Sequence, residues 1–251
     1  MAAIVPGAYA GRGLIVMATL SLRGAIGALL IAGALAACGD TEVDQRKAFI
    51  HFLQTYIVDK PGAHVPRPTD DDIKSFGPYA AHYAVIVNFT SNPEMMGIGA
   101  KMTQVTQKAS IQSIDDLVAH RAEIKSVSTD LAALREAMNR EFAKASAARD
   151  ALKQPDDLKA VFDKAFDKDV VAPVKAFNEA IPLAVDIAAI SVKLGDYIEA
   201  HRDRVVVSGT SIAGKDEQTS KELGEFRKML SADGARFQQA QQRLHDALQG
   251  S

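Results

Sequence analysis

The sequence predicts an all-α fold, an elongated antiparallel helical bundle with long heptad-patterned helices and one short β-hairpin. Two heptad series and one valine-rich segment lead to this prediction. The series run through residues 114–152 and 223–247, and the valine-rich segment covers residues 204–212. Apolar residues spaced strictly seven apart favour helices that cross at shallow angles, as in coiled-coil-like bundles.

The first heptad series is the strongest pattern in the chain. Its apolar residues are Leu117, Ile124, Leu131, Met138, Ala145 and Leu152, with Val127, Leu134 and Ala148 three positions after members of the series. It predicts one helix of about forty residues, roughly 60 Å long. The second series is Leu223, Leu230, Phe237 and Leu244. The two helices can pack antiparallel, and the pattern leaves open whether the seam closes within one chain or between chains.

Shorter helices are predicted before the first series. Residues 42–59 carry an apolar stripe at helical spacing, and a proline-rich loop follows at residues 61–69. Thr69 and the three aspartates after it are typical of a helix start. Gly77–Pro78 is expected to kink that helix, and Asn92–Pro93 to separate it from the next.

The region between the two series contains further helices and the hairpin. A helix is expected to open at Pro155, and Pro173 and Pro182 are expected to divide the helical segment that follows. Another amphipathic helix ends near His201. Residues 204–212 suit a short hairpin with its turn at Ser208–Gly209, which must pack on the bundle to be stable.

Composition and charge exclude several classes of protein. In 251 residues, 29 lysines and arginines face 31 aspartates and glutamates, so nothing in the total favours binding to nucleic acid. With 47% hydrophobic residues, the chain has the composition of a folded globular protein. Its single cysteine, Cys38, excludes an intrachain disulfide and a zinc site built on several thiolates.

The N-terminal segment has the pattern of a bacterial export signal. Residues 24–37 contain no charged residue, follow Arg23 and end in small residues, and the run is too short for a comfortable transmembrane helix. Leu35, Ala36, Ala37 and Cys38 then match the lipobox of bacterial lipoproteins. In a lipobox the cysteine thiol is diacylated and the signal peptidase cuts just before it. The alternatives are a simple secretory signal and an uncleaved anchor.

This interpretation divides the chain into three parts. Residues 1–37 are a lipoprotein signal peptide, with Met17 as an alternative start, residues 38–41 are a lipidated tether, and residues 42–251 are a single helical-bundle domain. The predicted modification is a diacylglycerol and an N-acyl lipid on Cys38, with no other cofactor. The acyl chains are expected to hold the protein on the periplasmic side of the cell envelope. Gly39, where inner-membrane lipoproteins often carry aspartate, favours the outer membrane over the inner one.

Catalytic and metal-binding patterns are weak in this sequence. The segment from Gly209 to Gly214 is one residue too long for a Gly-x-Ser-x-Gly elbow. His120 and Glu123 lie one helical turn apart but lack the second pair that a di-metal bundle site needs. We therefore predict no catalytic residue and no metal ligand. Tyr79 and Tyr83, beside Gly77–Pro78, are expected in the core, and if exposed they form a candidate binding groove.

Several short motifs resemble the YiaF-like lipoproteins of Gram-negative bacteria, a family whose shared domain has no known function. The motifs are Cys38-Gly39-Asp40, residues 44–50 with 52–54, Phe76-Gly77-Pro78, Tyr83-Ala84-Val85, residues 151–154, 156–159 and 161–163, and Gly195-Asp196. Their order and spacing together carry the resemblance. It implies a mainly helical cell-envelope lipoprotein and supplies no catalytic residues.

These observations predict a non-enzymatic envelope lipoprotein that acts as a scaffold, adaptor or envelope-maintenance factor. Its expected partners are the membrane, through the acyl chains, and either another envelope protein or a second copy of the chain. One alternative is a helical protein, or enzyme, that binds a small molecule or cation near Tyr79 and Tyr83. A less favoured one is a membrane-remodelling or pore-forming protein that inserts the hairpin.

Overall fold

The computed structural model describes residues 32–250, with side chains from Thr41 onward. Most of the predicted signal peptide, residues 1–31, lies outside the described residues. The chain divides into two units, Met1–Thr41 and Glu42–Ser251. The interactions described below all lie within the second unit.

The described residues form nine α-helices and one two-stranded sheet, in agreement with the predicted all-α class. The elements are α1 Ala32–Leu53, α2 Asp70–Phe76, α3 Ala80–Ser91, α4 Pro93–Lys108, α5 Ile114–Ala119, α6 Arg121–Asp150, α7 Asp156–Phe166, α8 Ala172–Ala200, β1 Val205–Ser208, β2 Ser211–Gly214 and α9 Glu217–Gln249. Two π-helical segments, Gln54–Val58 and Asp167–Val171, extend α1 and join α7 to α8. Within the described residues α1 covers Ala32–Leu53, so it includes residues before the predicted helix start at residue 42.

The first heptad series forms the buried face of α5 and α6. Leu117, Ile124, Leu131, Met138 and Ala145 are all buried, as the spacing predicts. The expected single helix is nevertheless broken at His120, whose backbone (φ −105°, ψ 25°) leaves the helical region. α6 packs against α4 and α8 of the same chain, so its seam closes within the chain.

Pro182 does not divide the helix that contains it, and that expectation is wrong. α8 continues through Pro182 from Ala172 to Ala200, with Pro173 in its first turn. A proline inside a helix costs about 3 kcal/mol, because it removes one backbone hydrogen bond and crowds the preceding turn. α8 packs against both α6 and α9, and that burial offsets the cost.

Polar contacts fix the direction of the three longest helices. Arg121, at the start of α6, pairs with Asp196 and Glu199 near the end of α8. Further along, Asn178 of α8 donates to Asn139 of α6 at 2.7 Å. α6 and α8 are therefore antiparallel.

The same reasoning applies to α8 and α9. Tyr197 of α8 donates to Glu222 of α9 at 2.5 Å, and Glu179 accepts from Arg243 at 2.8 Å. α9 therefore runs antiparallel to α8. Because α6 is also antiparallel to α8, the two helices of the heptad series, α6 and α9, run parallel to each other, and the expected antiparallel pairing between them is wrong. Each of them packs on α8 instead.

Local signals place the helix starts and the hairpin. Thr69 and Asp72 form a reciprocal capping box at α2, and Asn92 accepts from the backbone N–H of Met95 at the start of α4. The hairpin pairs Ser208 with Ser211, so its two-residue turn is Gly209–Thr210, one residue later than predicted. Gly209 takes a positive φ of 59°, which this tight turn requires.

Candidate functional site

The lipobox residues Leu35, Ala36, Ala37 and Cys38 lie within α1, in the stretch whose side chains the structure does not describe. Predictions about the Cys38 thiol therefore stay predictions. None of the helices in residues 32–250 combines the length and apolarity of a segment that crosses a bilayer.

Tyr79 and Tyr83 lie in an aromatic cluster of the core. They are 7% and 3% exposed, and the Tyr83 and Phe52 rings meet edge to face with centroids 5.3 Å apart. The Tyr83 hydroxyl donates to the carbonyl oxygen of Pro66 at 2.6 Å, and the Tyr79 hydroxyl donates to Glu42. Burial, with the hydrogen bond to Glu42, raises the pKa of Tyr79 to about 12. Both rings thus have the core position expected of them, and neither lines the cavity described next.

A cavity of about 800 Å³ lies between four helices of the bundle, and we call it the bundle cavity. Most of its wall comes from α4, α6, α8 and α9, and the remaining lining residues are Ala63, Val65, Phe89, Thr90, Ala109, Ile111 and Asp169. Ligand pockets in proteins have volumes of about 300–1,000 Å³, so this one is large enough for a sizeable organic molecule.

The bundle cavity is long as well as large. Its lining residues on α6 extend from Ile124 to Met138, and those on α8 from Pro173 to Ser191. At 1.5 Å per residue these stretches cover about 21 Å and about 27 Å of helix. The cavity therefore follows the helix axes over a length of about 21 to 27 Å, slightly less than the hydrocarbon thickness of a bilayer, which is about 30 Å.

Small side chains on α8 make room for this cavity. Ala180, Ala184 and Ala188 recur four apart, so they share one face of the helix, and all three line the cavity. The facing residues on α6 include Val127 and Leu131. A larger residue at any of the three alanines would project into the space that now separates α8 from its neighbours.

The bundle cavity opens to solvent between α4 and α9. α4 packs on α6 and α9 packs on α8. Thr106 of α4 and Gln241 and Leu248 of α9 line the cavity and are exposed, Leu248 by 44%. Phe237 and Leu244, two members of the second heptad series, also line the cavity, and they are only half-buried because no helix in the described part of the chain covers them there. The apolar stripe of α9 thus forms one wall of the cavity and is not sealed against a further helix.

Asp169 is the one titratable side chain among the described residues that line the cavity. It is 2% exposed, and its Oδ1 accepts from the backbone N–H of His64 at 2.8 Å. Its Oδ2 is buried and has no hydrogen-bond partner within the described part of the chain. A buried oxygen without a donor is costly, so native structures contain few of them.

Burial raises the pKa of Asp169 to about 6, well above the usual 3.8 of an aspartate. The hydrogen bond from His64 and the charge of Lys168 act in the opposite direction but are weaker. Lys168 donates to the carbonyl oxygens of Ile57 and Val58 at 2.9 and 3.0 Å, the last residues of the π-helical segment that follows α1. Because the pKa of Asp169 is about 6, its carboxyl is mostly ionised at neutral pH.

The proline-rich loop of residues 61–66 contributes Ala63 and Val65 to the cavity wall, and His64 of this loop contacts Asp169. Gly62 lies directly against the backbone of residues 248–250, and the N–H of Ala63 donates to the carbonyl oxygen of Ala247 at 2.9 Å. The backbone N–H of His64 donates to Asp169, and the carbonyl oxygen of Pro66 accepts from the Tyr83 hydroxyl. The loop therefore joins the end of α9 to the segment before α8.

Sequence reasoning missed both the bundle cavity and Asp169, although the chain contains a signal for each. Leu158, Phe162, Ala165 and Phe166 form the buried stripe of α7, and Asp169 lies eleven residues after Leu158, on the same helical face. A carboxylate that continues an apolar stripe is unusual. The repeat of alanines on α8 is the corresponding signal for the cavity.

An apolar cavity with a single carboxylate suits binding better than bond-breaking chemistry. Its lining offers alkyl and aromatic surface, and Asp169 supplies one acceptor that can orient a ligand. The described residues contain no group of three or more side chains that could hold a metal ion.

Comparisons with known proteins agree with the resemblance noted in the sequence. The chain is 33% identical over 215 residues to "Uncharacterized protein YiaF" from Escherichia coli K12 and from Shigella flexneri, and this match covers 86% of the chain and 91% of each relative. No solved structure gives a significant match to the chain. Residues 26–245 match the sequence model described as "Protein of unknown function (DUF3053)". The chain therefore belongs to the DUF3053 family.

Proposed function

We propose that this protein is a lipid-anchored helical protein of the cell envelope that binds an apolar small molecule in its bundle cavity, without catalysing a reaction. The cavity is the observation that carries the binding role. The lipobox carries the anchored location.

The anchor proposal rests on the agreement of several sequence features. A charged residue, Arg23, precedes an uncharged apolar run, and the run ends directly at Leu35-Ala36-Ala37-Cys38. Two or more acyl chains hold a protein firmly on a membrane, because each buried CH₂ contributes about 0.8 kcal/mol. The proposed site is the periplasmic side of the envelope, with Gly39 favouring the outer membrane.

The non-catalytic role is supported by the chemistry of the cavity. General acid–base catalysis needs groups that exchange protons with a substrate, commonly as a pair. The lining residues named above are instead dominated by alkyl and aromatic groups around Asp169. The scaffold or adaptor role expected from the sequence also acts through non-covalent contacts. It would use the outer surface, with an envelope protein or a second copy of the chain as partner.

Replacing the cysteine of the lipobox tests the anchor. We expect Cys38→Ser to abolish labelling by radioactive palmitate and to move the protein out of the membrane fraction, because a hydroxyl does not replace the thiolate as nucleophile. Gly39→Ala, the neighbouring substitution, should keep both labelling and membrane location. A Cys38→Ser protein that stays labelled in the membrane would contradict the anchor.

A fluorescent apolar probe tests the cavity. We expect the full-length Cys38→Ser variant, which lacks acyl chains of its own, to bind N-phenyl-1-naphthylamine at one saturable site with a rise in fluorescence. Adding Ala184→Trp places an indole in the cavity and should weaken binding at least about tenfold. Adding Ala189→Trp, on the exposed face of the same helix, should leave binding unchanged. Equal binding by both tryptophan variants, or no saturable binding, would overturn the binding role.

A further inference from the structure

Two features of the bundle cavity define the shape of a fitting ligand. Its apolar lining extends about 21 to 27 Å along α6 and α8, which suits a molecule with a long hydrocarbon body. Asp169 is the first lining residue before α8, so the one buried acceptor lies at an end of this run. A molecule with an apolar chain and a polar head at one end matches both features.

We propose that the bundle cavity binds a neutral single-chain amphiphile of the monoacylglycerol type, with its hydrocarbon chain along α6 and α8 and a head-group hydroxyl donating to Oδ2 of Asp169. The inference rests on the proposed binding function and adds the class of ligand. The unpartnered Oδ2, on a residue only 2% exposed, is the observation that selects the head group.

The head group has to be a hydrogen-bond donor without negative charge. The carboxyl of Asp169 is mostly ionised at neutral pH, since its pKa is raised only to about 6. An anionic head such as a fatty-acid carboxylate would place two like charges together in a poorly solvated site, which costs free energy. A hydroxyl satisfies Oδ2 without that cost, because a hydrogen bond to a charged acceptor is stronger than one between neutral groups.

The mouth of the cavity gives the head group access to water beside Asp169. Leu248 lines the cavity and is 44% exposed, and its backbone lies against Gly62 in the loop that also bonds Asp169. A glycerol head at Asp169 can therefore keep its remaining hydroxyl in solvent. The hydrocarbon chain meanwhile loses contact with water along the apolar walls, which is the main favourable contribution to binding.

Competition between two lipids of equal chain length tests the head-group assignment. The full-length Cys38→Ser variant is loaded with N-phenyl-1-naphthylamine at pH 7.5 and titrated with monopalmitoylglycerol or with palmitate, each below the concentration at which it aggregates. We expect monopalmitoylglycerol to displace the probe at about one tenth of the concentration that palmitate needs. Asp169→Asn should bring the two displacing concentrations within about threefold of each other, and Asp167→Asn, an exposed carboxylate two residues away, should keep the tenfold preference.

The possible outcomes separate this inference from the binding role. If the probe binds but both lipids displace it equally, or palmitate is preferred, the ligand class is wrong and the binding role stands. If the preference survives Asp169→Asn, the carboxylate does not select the head group and the inference is overturned. If the probe shows no saturable binding, both the inference and the binding role fail.

Discussion

Gly62→Ala is expected to lower the free energy of unfolding by about 3 kcal/mol or more. Gly62 has a positive φ of 61°, which disfavours any residue with a Cβ. A Cβ built there would lie 2.4 Å from the carbonyl carbon of Gln249 and 2.5 Å from the nitrogen of Gly250. These are backbone atoms, so relief requires moving the loop away from the end of α9. Urea denaturation followed by circular dichroism measures the loss.

Gly209→Ala is the matched control for this prediction. Gly209 also has a positive φ, 59°, but a Cβ there meets no atom within 4 Å. The control therefore incurs the backbone strain alone, about 1 kcal/mol. The difference between the two variants isolates the close contact of the loop with α9. Equal losses in both would contradict that contact.

Asp169→Asn is expected to stabilise the protein at pH 7.5 and to have little effect at pH 4. Burial raises the pKa of Asp169 from 3.8 to about 6, so the folded state holds its proton more tightly than the unfolded state does. Between about pH 4 and pH 6 the unfolded chain loses this proton first, and the free energy of unfolding therefore falls as the pH rises. Above pH 6 the accumulated cost is about 3 kcal/mol, because each pKa unit corresponds to about 1.4 kcal/mol.

Asparagine removes this cost but leaves its buried amide nitrogen, which carries two N–H donors, without an acceptor, and this returns about 1 kcal/mol. The expected gain at pH 7.5 is therefore about 2 kcal/mol, measured as the shift of the urea midpoint at constant slope. Asp167→Asn, on the exposed neighbour, should change stability by less than about 0.5 kcal/mol at either pH. An Asp169→Asn effect of the same size at pH 4 and pH 7.5 would show that ionisation is not its cause.

Features encoded by neighbouring residues could be predicted from the sequence. The heptad spacing identified the buried face of α6, and Ile124, Leu131 and Met138 are buried because their apolar repeat follows the helix period. The cap at Thr69 and the break at Asn92–Pro93 depend on hydrogen bonds within three residues, so they too were correctly predicted.

Features set by contacts between distant residues could not be predicted in the same way. Pro182 lies inside α8 because α6 and α9 cover the helix, a compensation that the local sequence does not show. The bundle cavity depends on how far α4 and α9 stand apart, and apolar residues on their facing sides look the same in sequence whether they touch or line a space. Asp169 has a local signal, but the missing partner of Oδ2 is visible only in the fold.

The contact between Lys168 and the end of the first helix has a consequence for the order of folding. The Lys168 ammonium donates a hydrogen bond to the carbonyl oxygen of Ile57, a residue 111 positions earlier in the chain. On a ribosome that adds about 5–20 residues per second, on the order of 10 s separates the synthesis of these two partners. The first helix therefore gains this contact only after the chain from α2 to α7 has been made, whereas its aromatic contacts with Phe76 and Tyr83 involve residues that are made much earlier.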